Sequence, residues 1–224
     1  MRTLQKVIAI DGPSGAGKST VAAALAERMD WVHLDTGAMY RAVTWAWQTD
    51  GSREEAFAKP TWLQGLKMDF GANGVMVDGQ ALGDQIRTEA VTRDASKVAA
   101  NAQVRQFLTR IQREIASCRP CVMEGRDIGT VVFPDAFFKV YLTASAKVRA
   151  DRRWRQKGGE ESGLSRDQIL RDQKERDQRD RTRKDAPLRR AEDAFLLETD
   201  HLSHEQVVIL LHEEATRRLK QTHT

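Results

Sequence analysis

A parallel β-sheet covered by helices on both faces is the fold class that this 224-residue sequence predicts. Two observations carry it. Apolar runs of strand length recur along the chain, at Val7–Ile10, Trp31–Leu34, Cys121–Met123, Phe137–Leu142 and Ala194–Leu197. Stretches with helical periodicity alternate with them.

Taken in order, Val7–Ile10 reads as a buried strand, and Lys18–Met29, with Val21 and Leu25, as the helix after it. Trp31–Leu34 is a second short strand, followed by a helix carrying Met39, Val43, Trp45 and Trp47. The pattern then breaks. Leu66–Phe70 and Val75–Asp78 alternate polar and apolar residues around Gly71-Ala72-Asn73-Gly74, which predicts an antiparallel hairpin foreign to the main sheet. A helix follows with Val104, Phe107, Leu108, Ile111 and Ile115 on one face. After the strands at Cys121 and Phe137 comes a flexible polar loop, Lys157–Gly163, and Ser165 opens a helix with Gln168 in the capping-box position. Two charged helices joined by such a loop have few apolar anchors, which predicts a mobile lid. The last helix opens on Ser203-His204-Glu205-Gln206, also a capping box, and runs through Val207, Leu210, Leu211 and Leu219.

Composition narrows the function classes. With 40% apolar and 30% charged residues the chain is globular, long enough for one domain with elaborations. The apolar run near Met1 is too short for a secretion signal or a membrane span, so a cytoplasmic protein without a membrane partner is expected. The net charge of +4 is modest, and the arginines between Arg149 and Arg190 are mixed with acids. Such mixing marks a solvated helix face rather than a phosphate-tracking stripe, so no nucleic acid is expected. Cys118 and Cys121 follow a helix and start a strand, the reverse of a redox pair, and no second pair completes a zinc site. They are expected to be ordinary reduced thiols.

Chemistry is concentrated in Gly12-Pro13-Ser14-Gly15-Ala16-Gly17-Lys18-Ser19-Thr20, which fits the pattern G-x-x-x-x-G-K-[ST] directly after a strand and at the start of a helix. The glycines let backbone N–H groups curl round a phosphate, Lys18 can reach the β and γ oxygens, and the Ser19 hydroxyl can ligate Mg²⁺. The helix dipole favours the same anion. The stretch predicts a site for ATP with Mg²⁺.

Three further segments carry anion-binding residues. Leu34–Arg41 places a glycine turn before a helix, with Arg41 one turn in. Glu124-Gly125-Arg126-Asp127 follows a strand at its carboxyl end, where open α/β sheets bind ligands. Lys174–Arg183 sets Arg176, Asp180 and Arg183 on one helical face. Individually, Arg41 also fits a surface residue and the Arg176–Arg183 run a solvated helix. Glu124 fits either a crevice charge or a carboxylate that holds Mg²⁺ through water.

Together, the P-loop, Leu34–Arg41, Gly125–Ala136 and Lys174–Leu188 resemble the bacterial cytidylate kinase family along nearly the whole chain, and Gly-Arg-Asp-x-Gly-Thr-Val-Val-Phe-Pro is its most specific segment. Members often carry Gly-Thr after the P-loop lysine, where this chain has Ser19-Thr20, a change compatible with Mg²⁺ ligation. The resemblance implies a P-loop NTPase fold with a five-stranded parallel sheet flanked by helices. It also implies an insertion for the nucleoside monophosphate at about residues 60–96, containing antiparallel strands, and a helical lid at about 152–168. The substrates implied are ATP, with Mg²⁺, and CMP or dCMP, and the chain is expected to act as a monomer. In its terms Arg41, Arg126 and Arg183 hold the CMP phosphate, with Thr36 and Tyr40 beside them. Ser96, Arg105 and Asp127 read the cytosine edge, and Arg176 and Asp180 contact the ribose. Residues 12–20 hold ATP, and Arg149, Arg152 and Arg153 fall in a region that closes on it, Arg152 touching the nucleotide. Lys18, Arg126 and Arg183 are the catalytic set.

The chemistry agrees with that set. A phosphate monoester is already ionised near neutral pH, having a second pKa of about 6, so it attacks the γ-phosphorus without a general base. Catalysis then reduces to aligning two anions and neutralising their charge, work for lysine, Mg²⁺ and arginine forks. A kinase with a hydroxyl acceptor remains the rival enzyme, with Asp127 or Asp11 as its catalytic carboxylate. An ATP-dependent nucleic-acid-binding module is the non-enzymatic alternative.

Overall fold

The computed structural model describes residues 6–51, 57, 60–71 and 74–222. They fall into two compact units, one built from the chain up to His33 and from Ala116 onward, the other spanning Leu34–Ile115. The stretch 60–96 lies within the second.

In the main sheet, β1 (Val7–Asp11) is buried at every position because it has strands on both sides and helices on both faces. It pairs in parallel with β6 (Cys121–Gly125) and with β7 (Phe138–Thr143), setting Val7 opposite Cys121 and Ile8 opposite Phe138. β7 pairs in parallel with β8 (Phe195–Glu198), and β2 (Val32–Asp35) completes the order β2-β6-β1-β7-β8. A parallel sheet with helical crossovers is what the apolar runs predict and its five strands are what the resemblance implies; the strand order is new information.

Helix α1 (Lys18–Met29) packs Val21 and Leu25 against Ile8, Ile10 and Phe138, and the C-terminal helix α8 (His204–Thr222) adds Val207 and Leu211. The expected capping box opens α8: the Ser203 amide donates to Gln206 Oε1 at 2.8 Å, and the Gln206 amide to Ser203 Oγ at 3.2 Å. Two orphan N–H groups are thereby satisfied, worth about 1 kcal/mol of helix stability.

The second unit holds α2 (Thr36–Thr49), α3 (Pro60–Gly65), α4 (Glu89–Val98) and α5 (Ala102–Cys118), together with a separate antiparallel sheet. That sheet joins β3 (Met68–Gly71), β4 (Gly74–Val77) and β5 (Gln80–Ala81). Met68 sits opposite Val77 and Phe70 opposite Val75, the register expected of the hairpin; Ala72 and Asn73 of its turn lie outside the described residues. The third strand, β5, is an addition to the expected hairpin. Asp78 and Gly79 both take positive φ, 50° and 81°, the geometry of a tight two-residue turn, and return the chain to β5. Ala38, Ala42 and Ala46 of α2 share a core with Val75, Val77, Leu82 and Ile86.

Between β7 and β8 an arm of two helices, α6 (Ala146–Gln156) and α7 (Arg166–Thr182), leaves the sheet. Its anchoring corrects two expectations. Trp154 packs with Ala150 and Ile169, donates its indole N–H to the Leu164 carbonyl at 2.9 Å, and lies 3.9 Å beneath the Arg166 guanidinium. One tryptophan therefore supplies an apolar anchor where the charged sequence predicts few. The capping box at Ser165 does not form. Gln168 instead donates to Asp172 at 2.6 Å and accepts from Arg171 at 2.7 Å, which uses up its carboxamide along the exposed face.

Candidate active site

Directly after β1, the loop from Gly12 to Gly17 turns into α1. At Gly12 a side chain is forbidden: a Cβ would lie 2.0 Å from the Leu142 carbonyl oxygen of the neighbouring strand. At Gly15, with φ of 78°, a Cβ would meet Gln173 Nε2 at 2.6 Å and Arg149 Cβ at 3.2 Å. The glycines thus serve close packing against β7 and the helical arm as well as backbone curvature. Ala16 is buried, and Ser19 and Thr20 are exposed on the first turn of α1.

Lys18 is buried and donates from Nζ to the Pro13 carbonyl at 2.8 Å, folding back over the loop. Burial lowers its pKa to about 7, and the positive charges of Arg126 and Arg176 push the same way against Glu124 and Asp11. A cation held in that state gains strongly from a bound polyanion.

The loop is gripped from outside by residues of the arm. The Ser14 amide donates to Asp177 Oδ1 of α7 at 3.3 Å, and the Ser14 carbonyl accepts from Arg149 Nη1 of α6 at 2.8 Å. Arg149 and Asp177 pair at 2.7 Å, both buried. Arg152, one turn further on, takes another direction: Nη1 donates to Thr199 Oγ1 at 2.9 Å and Nη2 to the Thr199 carbonyl at 2.7 Å. Of the two, Arg149 is the arginine placed against the P-loop.

At the end of β6, Arg126 donates from Nε to Asp180 Oδ2 at 2.8 Å and from Nη1 to the Gly125 carbonyl at 3.1 Å. Burial works to lower the Arg126 pKa, but the Asp180 carboxylate outweighs it and the net shift is upward. Asp180 moves the opposite way, held low by Arg126, Arg176 and Arg183 in spite of burial. The guanidinium of Arg183 reaches Asp127 Oδ1 at 3.3 Å, and its Nε donates to the Ala186 carbonyl at 2.5 Å. Buried Glu124 lies 3.9 Å from His33 Nε2.

Asp11 is also buried, and both its oxygens are committed. Oδ1 accepts the Ile128 amide at 2.8 Å and Oδ2 the Gly129 amide at 2.7 Å. Burial nevertheless raises its pKa to about 6. Asp11 therefore fixes the turn that follows Arg126 and Asp127, rather than facing an acceptor hydroxyl.

The second unit presents its own set. Asp35 caps α2, accepting the Ala38 amide at 2.8 Å, and its other oxygen takes Arg41 Nη2 at 2.9 Å. A Cβ on Gly37 would press to 3.1 Å from Arg41 Nη1, so glycine lets the guanidinium fold back over the helix start. Thr36 is buried. The Arg105 guanidinium stands 5.8 Å from the Tyr40 ring and donates to the Ala99 carbonyl at 3.4 Å, while Ser96 on α4 donates to the Arg93 carbonyl at 3.4 Å.

Sequence reading missed Asp35, Gln173 and Asp177. A signal for the last two was present. Ile169, Gln173, Asp177 and Asp180 fall at spacings of four, four and three, and all are buried. A polar continuation of an apolar helix face marks a buried polar surface.

Comparison with known proteins follows the same lines. A sequence model described as cytidylate kinase matches residues 8–217. The chain is 43% identical over 201 residues to a cytidylate kinase of Fervidobacterium nodosum, covering 90% of this chain and 92% of that one. It is 38% identical over 220 residues to a cytidylate kinase of Citrifermentans bemidjiense, covering 96% and 94%. Among solved structures, a gluconokinase from Sinorhizobium meliloti is similar in fold, with a TM-score of 0.51 at 17% identity, covering 99% of this chain and 98% of that chain.

Proposed function

The chain belongs to the cytidylate kinase family, and on that premise we propose that it transfers the γ-phosphate of ATP to CMP or dCMP, giving ADP and CDP or dCDP by in-line displacement. One observation carries the proposal furthest. A buried lysine on a P-loop shares its unit with two arginines, Arg126 and Arg183, that are each seated on a carboxylate. An already ionised acceptor requires such a set and no general base. The rival hydroxyl kinase needs a carboxylate to take the acceptor proton, and its two candidates are otherwise engaged: both oxygens of Asp11 accept backbone amides, and Asp127 Oδ1 accepts from Arg183.

The donor side consists of residues 12–20. Lys18 neutralises charge on the transferring group, and the loop amides orient the polyphosphate. The exposed Ser19 hydroxyl on the first turn of α1 is a hard oxygen ligand suited to Mg²⁺. The ion would be held by Ser19 together with the nucleotide's own phosphates. Bound there, Mg²⁺ would neutralise charge developing on the β and γ oxygens.

On the acceptor side, the family resemblance assigns Arg41, Arg126 and Arg183 to the CMP phosphate. Each is paired with an aspartate: Arg41 with Asp35, Arg126 with Asp180 and Arg183 with Asp127. Arg176 and Asp180 serve the ribose, Thr36 and Tyr40 flank Arg41, and Ser96, Arg105 and Asp127 read cytosine. The test is ADP release from ATP and Mg²⁺ with CMP, dCMP, UMP, AMP or cytidine. Turnover with CMP and dCMP, and none with cytidine, is expected. Phosphorylation of cytidine in preference to CMP would overturn the reading.

A further inference from the structure

Both backbone polar groups of Ser14, in the two peptide units that flank its Cα, are held by one ion pair. Asp177 accepts its N–H and Arg149 donates to its carbonyl, while the two side chains pair with each other at 2.7 Å. The pair is tied down further: Arg149 Nε donates to the Ala144 carbonyl at 3.0 Å, and Gln173 Nε2 donates to the Arg149 carbonyl at 3.3 Å. Buried charges in such a network tolerate little displacement, because separating them leaves each uncompensated away from water.

The same helix reaches the acceptor arginine. Three residues beyond Asp177, Asp180 of α7 holds Arg126 at 2.8 Å. The two aspartates are separated by a rise of about 4.5 Å on one rigid element. A shift of α7 large enough to reset Asp180 against Arg126 must also move Asp177 against Ser14.

We propose that Arg149 and Asp177 are positioning residues that couple the P-loop to the acceptor site through α7, so that nucleotide on either side strengthens binding on the other. The inference rests on the reading that CMP binds at Arg126 and Asp180. An acceptor phosphate drawing on Arg126 changes the hold of Asp180 on that arginine. α7 then settles in the position that best presents the loop amides to a polyphosphate. Because coupling of binding free energies is reciprocal, ADP must raise the affinity for CMP by the factor by which CMP raises that for ADP.

Calorimetric titration of ADP with and without saturating CMP tests this. In the native chain CMP should tighten ADP binding by at least about fivefold, the lower end of common coupling strengths. Asp177→Asn keeps an acceptor oxygen for the Ser14 amide but loses the charge that Arg149 pairs with. It should still bind each nucleotide alone, with the coupling factor reduced below about twofold. Arg149→Lys keeps the charge and loses the planar fork, and should reduce the coupling in the same way. Thermal unfolding verifies that each variant is folded, and either folded variant suffices. Undiminished coupling in a folded variant, or no coupling in a native chain that binds both nucleotides, overturns the inference. Failure of the native chain to bind CMP overturns instead the functional reading beneath it.

Discussion

Asp11 Oδ2 accepts the Gly129 amide at 2.7 Å across 118 residues of chain, and its other oxygen accepts the Ile128 amide at 2.8 Å. The last residue of the P-loop strand thus fixes the turn immediately after Arg126 and Asp127. An asparagine has one acceptor oxygen, and its NH₂ would face a second N–H donor. Asp11→Asn should therefore leave one buried amide unsatisfied, at about 1–3 kcal/mol. Denaturant unfolding should show that loss, together with a fall in kcat/KM for CMP as Arg126 and Asp127 lose their support. A variant of native stability would mean that the two amides find other partners.

The acid side of the stability curve follows from the same group. Burial raises the folded-state pKa of Asp11 to about 6, above its ordinary value of 3.8. A raised pKa means that the folded chain holds this proton more tightly than the unfolded chain. Its contribution is fully present below about pH 4 and is lost as pH rises to about 6. Subtracting the Asp11→Asn curve from that of the native chain should isolate a component that declines through this window. A difference that rises with pH instead would contradict the shift.

The three arginines proposed to hold the CMP phosphate differ in what they leave behind. Arg41→Ala, Arg126→Ala and Arg183→Ala each remove a charge-assisted contact worth about 1.5–3 kcal/mol, a loss of roughly ten- to hundredfold in kcat/KM for CMP. ADP affinity measured alone should survive in each. Arg126→Ala also removes the hydrogen-bonding partner of Asp180, whose side chain is only 11% exposed, leaving it the more distant charges of Arg176 and Arg183, and should be the least stable of the three. Arg41→Ala releases Asp35, which still caps α2, so little stability should be lost. If ADP affinity collapsed while CMP affinity held, these arginines would belong to the donor side.

What could be read in advance depended on how local the cause was. The P-loop, the main strands and the Ser203 capping box were legible because each is specified by neighbours a few residues apart. Trp154 was not, since one tryptophan in a charged helix shows its worth only once Ile169 and Arg166 fold onto it. Asp11 looked as if it could be a catalytic base because its partners, Ile128 and Gly129, are backbone amides that no side-chain pattern reveals. The Asp177 grip on Ser14 spans 163 residues, and only the spacing of polar residues on α7 hinted at it. Asp78-Gly79 carries a local turn signal, but Asp78 also completes the strand-like alternation of Val75–Asp78, and only the positive φ of both residues separates the two readings.

Base selection tests Asp127. Cytosine offers an exocyclic amino donor where uracil offers an oxygen, and a carboxylate suits only the first. Asp127 keeps Arg183 at 3.3 Å through Oδ1. UMP should be a poor substrate, since mismatched buried groups cost about 1–3 kcal/mol each. Asp127→Asn offers a donor to uracil and should narrow the CMP to UMP ratio in kcat/KM. It should also lower activity with CMP, because Arg183 loses its charged partner. An unchanged ratio would remove Asp127 from base reading and leave it as an anchor for Arg183.

Nucleotide binding should take up a proton at Lys18. Burial, with Arg126 and Arg176 adding to it, brings the lysine pKa down to about 7, so at pH 8 the free protein holds it largely neutral. A polyphosphate beside it favours the ammonium and raises that pKa, and the difference is a proton taken from buffer. Titrating Mg²⁺–ADP at pH 8 into the protein in HEPES and in Tris, whose ionisation heats differ, should give a buffer-dependent enthalpy. The slope should correspond to between about half a proton and one. Lys18→Ala should abolish the slope and, on the proposed function, most of kcat, because the same charge would stabilise the transferring phosphoryl group. The sign also fixes the pH trend: affinity for ADP should weaken as pH rises above 7, because more of the binding free energy goes into protonating the lysine. A native chain whose binding enthalpy is the same in both buffers would place a charged lysine there from the start. The pH dependence of affinity would then have to vanish with it.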